Sequence, residues 1–126
     1  MRVLVAGCGG MLAQDLIPRL RERGHRVVSP AEDQFDITDE TMVLEAARAA
    51  EPDIVINCAA YNLVDKAETD TAAAEAVNGH GVRNLCVACL DLDVPLVHFS
   101  TDYVFDGSSS TPYKVDDATG PITSYG

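Results

Sequence analysis

Short apolar runs alternate with amphipathic stretches along the whole chain. Val3–Ala6 is a continuous apolar run, and Leu12, Leu16 and Leu20 follow it at four-residue spacing. The first pattern reads as a strand and the second as one face of a helix. Gly24 closes that helix, and Pro18 inside it removes an amide donor, which predicts a kink near residues 14–18. A second strand is predicted over Arg26–Ser29, ended by Pro30. Thr38 or Asp39 caps a second helix that reaches Ala50, where Glu51-Pro52 stops it. Asp53–Asn57 is apolar almost throughout, as expected of a strand covered on both faces. Asp70 is placed to cap a third helix whose buried line is Val77, Gly81, Leu85, Cys89 and Leu92. Leu96–Phe99 forms the fourth strand. A polar loop from Asp106 to Gly120 follows it, and a last helix is predicted to begin near Ile122.

Strands that alternate with helices in this way form βαβ units and a parallel sheet. The expected fold is α/β, a Rossmann-like doubly wound parallel sheet with strand order 3-2-1-4. Ligand sites in such sheets form outside the carboxyl ends of the strands. Those ends are Gly7–Gly10, Ser29–Ala31, Cys58–Asn62 and Ser100–Asp102.

Length and charge narrow the function. A chain of 126 residues fits one domain. Nine basic against twenty acidic residues give a net charge of −11, which argues against nucleic acid as a partner. An anionic cofactor is still compatible, because backbone N–H groups at a helix N-terminus supply positive potential locally. No run approaches the roughly 20 apolar residues of a membrane span, and the apolar start reaches Gly7 too soon for a signal-peptide core. A cytoplasmic protein without membrane contact is expected. Cys8, Cys58, Cys86 and Cys89 then carry no disulfide signal. Cys86-x-x-Cys89 lies inside a helical pattern without a second ligand pair, so it reads as two small residues on one helical face, and no metal site is expected.

The candidate chemistry begins at Gly7-Cys8-Gly9-Gly10-Met11-Leu12-Ala13, between the first strand and the first helix. Gly7 permits the tight turn, Gly10 lets a pyrophosphate approach the backbone, and Ala13 keeps helix and strand close. A glycine-rich turn alone could be an ordinary connection, but its position at the first βα junction favours a dinucleotide. The acidic residue expected at the end of the second strand is missing. Ser29 and Pro30 stand there, with Glu32 and Asp33 slightly late and Arg26 nearby, which inclines the reading towards NADPH with NADH as the alternative. Asp36-Ile37 is either a turn or a flank for the adenine ring. Small residues in Cys58-Ala59-Ala60-Tyr61 allow close approach to a cofactor's ribose and phosphates. Asn78 could bridge backbone groups, Lys66 reads as a surface residue at a helix start, and His25, His80 and His98 show no ligand spacing.

Beyond these single residues, longer signatures occur in order: Asn57-Cys58-Ala59-Ala60-Tyr61, Val64-Asp65-Lys66-Ala67-Glu68, Asn78-x-x-Gly81-x-x-Asn84-Leu85 and Ser100-Thr101-Asp102-Tyr103-Val104-Phe105-Asp106-Gly107. With Gly7-x-x-Gly10-x-x-Ala13, they make the whole chain resemble the extended short-chain dehydrogenase/reductases, in particular those that reduce a 4-keto-deoxysugar nucleotide. The resemblance implies reduction of dTDP-4-dehydrorhamnose to dTDP-L-rhamnose with NADPH or NADH. It implies Thr101 and Tyr125 as catalytic residues, Thr101 polarising the carbonyl oxygen and Tyr125 protonating the developing alkoxide. Thr101 and Asp102 would contact the substrate sugar. Gly7, Gly10, Met11, Leu12, Asp36, Ile37, Ala59, Ala60, Tyr61, Phe99 and Tyr125 would hold the cofactor.

The family places a lysine four residues after the tyrosine, and this lowers the phenol's pKa from about 10. That position would be 129, past Gly126. The expectation is therefore an incomplete NAD(P)-binding domain over residues 1–126, lacking its substrate domain, inactive alone and homodimeric or otherwise oligomeric through an unpaired fourth strand. Magnesium is possible in the full-length family, with its ligands outside this chain. A non-catalytic dinucleotide-binding regulatory module, as in the regulatory subunit of methionine adenosyltransferase, and a nucleotide-sugar epimerase or dehydratase are the alternatives.

Overall fold

The computed structural model describes all residues from Met1 to Gly126. The first apolar run becomes β1 (Arg2–Ala6), in which Val3, Leu4, Val5 and Ala6 are all buried. Three further strands run parallel in its sheet: β2 (Arg26–Val28), β3 (Ile54–Asn57) and β4 (Leu96–His98). Helices α1 (Met11–Glu22) and α2 (Glu40–Ala50) connect the first three strands. Between β3 and β4 lie α3 (Val64–Ala67) and a longer helical rod. The rod is built from α4 (Thr71–Glu75), a π-helical turn (Ala76–Gly81) and α5 (Val82–Leu92).

The sheet is the expected parallel α/β sheet, but its order is β2-β1-β3-β4 rather than 3-2-1-4. The third strand pairs with β1, Val3 opposite Ile54 and Ala6 opposite Asn57, and does not extend the outer edge of β2. Ile54-Val55-Ile56 is apolar on both faces, so it is best placed between two strands and under helices; outside β2 it would be an edge. No strand forms beyond β2. Residues 29–39 make a 3-10 turn (Glu32–Gln34) and a turn in which Asp36 accepts from the N–H and hydroxyl of Thr38.

Strand alternation divides the core in two. Leu4, Ala6 and Val55 point to one face, where Val43 and Ala47 of α2 and Leu85, Ala88 and Cys89 of α5 cover them. Val3 and Val5 point to the other, which only α1 covers, through Ala13 and Ile17. Ile54 and Ile56 on that second face are therefore only half-buried. The edge strand β4 leaves Val97 exposed, and Phe99 after it is 50% exposed.

Helix ends follow local chemistry in part. Asp39 caps α2 by accepting from the Met42 N–H at 3.0 Å, and Glu51 ends it in the left-handed region at φ 43°. Gly24, at φ 81°, follows α1, which runs through Pro18 to Glu22. Asp70 precedes α4 but makes no capping bond; its carboxylate lies 3.7 Å from the Lys66 ammonium and accepts a long bond from the Tyr61 hydroxyl. The helix expected from Ile122 is absent, and Ile122 is exposed.

Candidate dinucleotide site

The carboxyl ends of β1, β2 and β3 enclose a cleft of about 590 Å³. Its floor is the turn Gly7–Gly10. One wall is the segment after β2 (Ala31, Glu32, Phe35, Asp36, Ile37), and the other is Cys58–Tyr61 with Val77. The fourth strand end, Ser100–Asp102, does not line it.

The glycines have different tasks. Gly7 adopts φ +73°, and a Cβ there would sit 2.5 Å from the Ala59 nitrogen. The residue therefore serves both the turn and the contact between the β1 and β3 ends. A Cβ on Gly10 would point back at the Gly7 carbonyl oxygen, at 3.3 Å, whereas one on Gly9 would meet nothing within 4 Å. Gly10 thus tightens the turn, and its N–H donates to Gly7 O at 3.0 Å. The Met11 and Leu12 side chains are exposed and lie outside the cleft. What these two residues offer is backbone: at the start of α1 their N–H groups have no acceptor in the chain. Free donors and the helix dipole together favour a phosphate.

Three asparagines hold the walls from behind. Buried Asn57 accepts the Ala59 N–H at 2.9 Å, and its amide nitrogen lies 3.1 Å from His98 Nδ1. Asn78 clamps Tyr61 on both sides, accepting its N–H at 2.9 Å and donating to its carbonyl at 2.8 Å. Buried Asn84 donates to the carbonyls of Ile37 and Thr38 at 2.9 and 3.3 Å. Gly81 lies between the last two, where a Cβ would come within 2.7 Å of the Ile37 side chain. The Asn78-x-x-Gly81-x-x-Asn84 spacing therefore supports both walls from one helical rod. The π-helical turn lies in that stretch, and such turns often mark functional positions.

The cleft is acidic. Glu32 and Asp36 line it, and no lysine, arginine or histidine does. Arg26, which favoured NADPH in the sequence, is elsewhere. It starts β2 in register with Arg2, and both line a separate depression with Gln34 and Glu51. In a parallel sheet, the start of a strand lies at the opposite end from the site. Burial raises the Cys58 thiol above its ordinary pKa, which suits a neutral wall, and Cys8 Sγ lies 3.1 Å from the Pro30 carbonyl.

Thr101, Asp102 and Tyr125 gather in a second place, beyond β4. Thr101 Oγ1 accepts from the Tyr103 N–H at 3.2 Å and lies 3.3 Å from Asp102 Oδ1. The Tyr103 ring meets Tyr125 edge to face at 5.5 Å, so Tyr103 adjoins both expected catalytic residues. Ser124 is tied to α3's end: Glu68 accepts its N–H at 2.8 Å and its hydroxyl at 3.0 Å. Phe105 stacks on Tyr113, whose hydroxyl donates to Asp106. Of the residues expected from the sequence, the cleft thus unites Gly7, Gly10, Asp36, Ile37, Ala59, Ala60 and Tyr61, and leaves Phe99, Thr101, Asp102 and Tyr125 outside. The sequence pattern placed Val77 in the helical core and did not single out Phe35 or the supporting role of Asn84; the asparagine and glycine spacing was the available signal.

The chain is similar to known proteins along its whole length. The family described as RmlD substrate binding domain matches residues 1–126. A dTDP-4-dehydrorhamnose reductase of Mycolicibacterium smegmatis is 47% identical over 126 residues, which are 99% of this chain and 38% of that protein. The structure of a dTDP-4-dehydrorhamnose reductase from Bacillus anthracis in complex with NADP superposes with a TM-score of 0.95 at 34% identity, over 98% of this chain and 45% of that one. A UDP-glucose 4-epimerase of Thermus thermophilus in complex with NAD superposes at 0.88 with 26% identity, over 99% of this chain and 46% of that one. The chain therefore spans less than half the length of each of these relatives.

Proposed function

The chain belongs to the RmlD substrate binding domain family, and on that premise we propose that it is the dinucleotide-holding part of a sugar-nucleotide reductase. The reaction proposed is reduction of the 4-keto group of dTDP-4-dehydrorhamnose to give dTDP-L-rhamnose. The observation that carries this reading is the cleft itself: a glycine turn, free amides opening α1, and two largely apolar walls clamped by asparagines. Its volume of about 590 Å³ falls within the ~300–1,000 Å³ typical of small-molecule and cofactor sites. Relatives carry NADP or NAD in their structures, and a nicotinamide dinucleotide fits the cleft's chemistry.

The residues act as follows in this proposal. The amides of Gly9, Met11 and Leu12 receive the pyrophosphate, and Ile37, Phe35 and Ala59–Tyr61 exclude water from the nucleoside halves. When bound, the reduced nicotinamide supplies the hydride. Thr101 donates a hydrogen bond to the carbonyl oxygen, Tyr125 passes its phenolic proton to that oxygen as charge develops, and Asp102 binds the sugar. Phe99 borders the cofactor from the β4 side. Residues 1–126 form the NAD(P)-binding unit, and the substrate nucleotide is gripped by the length of chain that the relatives have in addition. Four free cysteines support a reducing, cytoplasmic setting.

The test is turnover of dTDP-4-dehydrorhamnose by the reductase that contains this chain, wild type against Tyr125→Phe and Thr101→Ala. Each variant should lower kcat by ~100–10,000-fold, the usual worth of a general acid, while dinucleotide affinity holds. Undiminished turnover by Tyr125→Phe would exclude it as the proton donor.

A further inference from the structure

We infer that His98 is a positioning residue for the reduction. As a neutral imidazole accepting at Nδ1, it ties the strand that leads to Thr101 to the dinucleotide wall, through Asn57. The inference rests on the reductase reading above and adds a residue to it.

Asn57 and His98 stand in register at the carboxyl ends of β3 and β4, and Asn57 is also in register with Ala6 of β1. Asn57 is 1% exposed, and a buried amide needs partners for both of its ends. Its Oδ1 accepts the Ala59 N–H at 2.9 Å, so it is the amide nitrogen that lies 3.1 Å from His98 Nδ1. An amide nitrogen only donates, and a ring nitrogen accepts only when it carries no proton. The pairing therefore selects one state of the ring, with its proton on Nε2. A proton on Nδ1 would set donor against donor and leave the buried amide without an acceptor.

The tie holds the junction between the two halves of the site. Ala59 lines the cleft, and Thr101 follows His98 by three residues. β4 ends at His98, and neither Phe99 nor Ser100 makes a backbone hydrogen bond to β3. The bond from Asn57 thus fixes where the chain leaves the sheet towards Thr101, relative to Ala59. Misplacing a reacting group by about 1 Å can cost on the order of 100-fold in rate.

Steady-state kinetics and dinucleotide titration of the reductase that contains this chain test this, on wild type, His98→Phe and His98→Asn. Phenylalanine keeps a ring without an acceptor, whereas asparagine offers an amide oxygen in the place of Nδ1. His98 is exposed, so both variants should fold. His98→Phe should lower kcat about tenfold or more, with the dinucleotide Kd within about threefold of wild type. His98→Asn should recover kcat to within about threefold of wild type. Two-bond 1H–15N spectra of the histidine-labelled wild-type protein should place the proton of the neutral ring on Nε2, a measurement that needs no variant. Three results overturn the inference and leave the reductase reading standing: kcat unchanged in His98→Phe, equal losses in both variants, or a neutral ring protonated on Nδ1. A loss of kcat in His98→Phe matched by an equal loss of dinucleotide affinity overturns it too. Wild-type protein that neither binds dinucleotide nor turns over dTDP-4-dehydrorhamnose overturns both.

Discussion

In the cleft, each wall has a side chain behind it: Asn57 behind Ala59, Asn78 behind Tyr61, Asn84 behind Ile37 and Thr38. Beyond β4, the segment carrying Thr101 and Tyr125 is held almost wholly by bonds at the surface, such as Ser124 to Glu68 and Ser108 to Asp106. The contrast follows from the two faces of the sheet. The face covered by α2 and α5 continues into the cleft through Phe35 and Ile37, while β4 is an edge with Val97 and Phe99 exposed. Cofactor geometry can thus be set by residues within the first ninety or so, from local βαβ units. The groups proposed for catalysis lie in a less buttressed region, and the relatives are more than twice this length.

The largest effect expected on the cleft side is from Gly7→Ala. Its positive φ and a Cβ 2.5 Å from backbone should cost ~3 kcal/mol or more in urea denaturation, at the upper end of overpacking, and abolish dinucleotide binding. Gly9→Ala, with open space around it, should stay within about 1 kcal/mol. Equal losses in the two variants would break the assignment of the close contact to Gly7. Asn84→Ala should come next, at ~1–3 kcal/mol, because two carbonyls lose a donor in a shielded place. It should also weaken dinucleotide binding, as Ile37 is released.

Titration of Cys89 gives a smaller test of the same core. Burial, reinforced by Cys86, lifts its thiol from 9.0 to about 11. The folded state therefore holds this proton more tightly than the unfolded chain does. The contribution to stability is intact below pH 9 and is lost as pH rises to about 11. The urea midpoint of wild type should fall more steeply over that window than that of Cys89→Ala. Parallel slopes would show that the thiol is not shielded. Under native conditions below pH 9, alkylation should modify exposed Cys86 well before Cys89.

On the other side of the comparison, Glu68→Ala should cost less than ~1 kcal/mol, since both bonds to Ser124 are exposed. Amide exchange at Ser124–Gly126 should rise sharply while that of β1 stays slow. Protection that survives in the variant would mean that packing of Tyr125 on Tyr103, not Glu68, holds the segment.

Much of this architecture is legible in the sequence because burial leaves a local imprint. The runs Val3–Ala6 and Ile54–Ile56 have no polar residue to spare, and the glycine turn follows the first of them. Strand order is not local: whether Ile54–Asn57 joins β1 or β2 depends on which edge the chain can reach, and the missing strand after Pro30 decided it. Arg26 lies away from the cleft for a related reason, since nearness in sequence to a turn says nothing about which end of a strand a residue occupies. The Asn78 and Asn84 clamps were visible only as a spacing, because their partners are backbone groups 17 to 47 positions away.

The central claim is that the amides opening α1 receive a pyrophosphate, and amide chemical shifts of the isotope-labelled protein during titration with ADP-ribose test it most directly. The account predicts saturable shifts concentrated at Gly9, Gly10, Met11 and Leu12, with weaker ones at Ile37 and Tyr61. Shifts confined to the depression around Arg2 and Arg26, or none at all up to millimolar ligand, would contradict it.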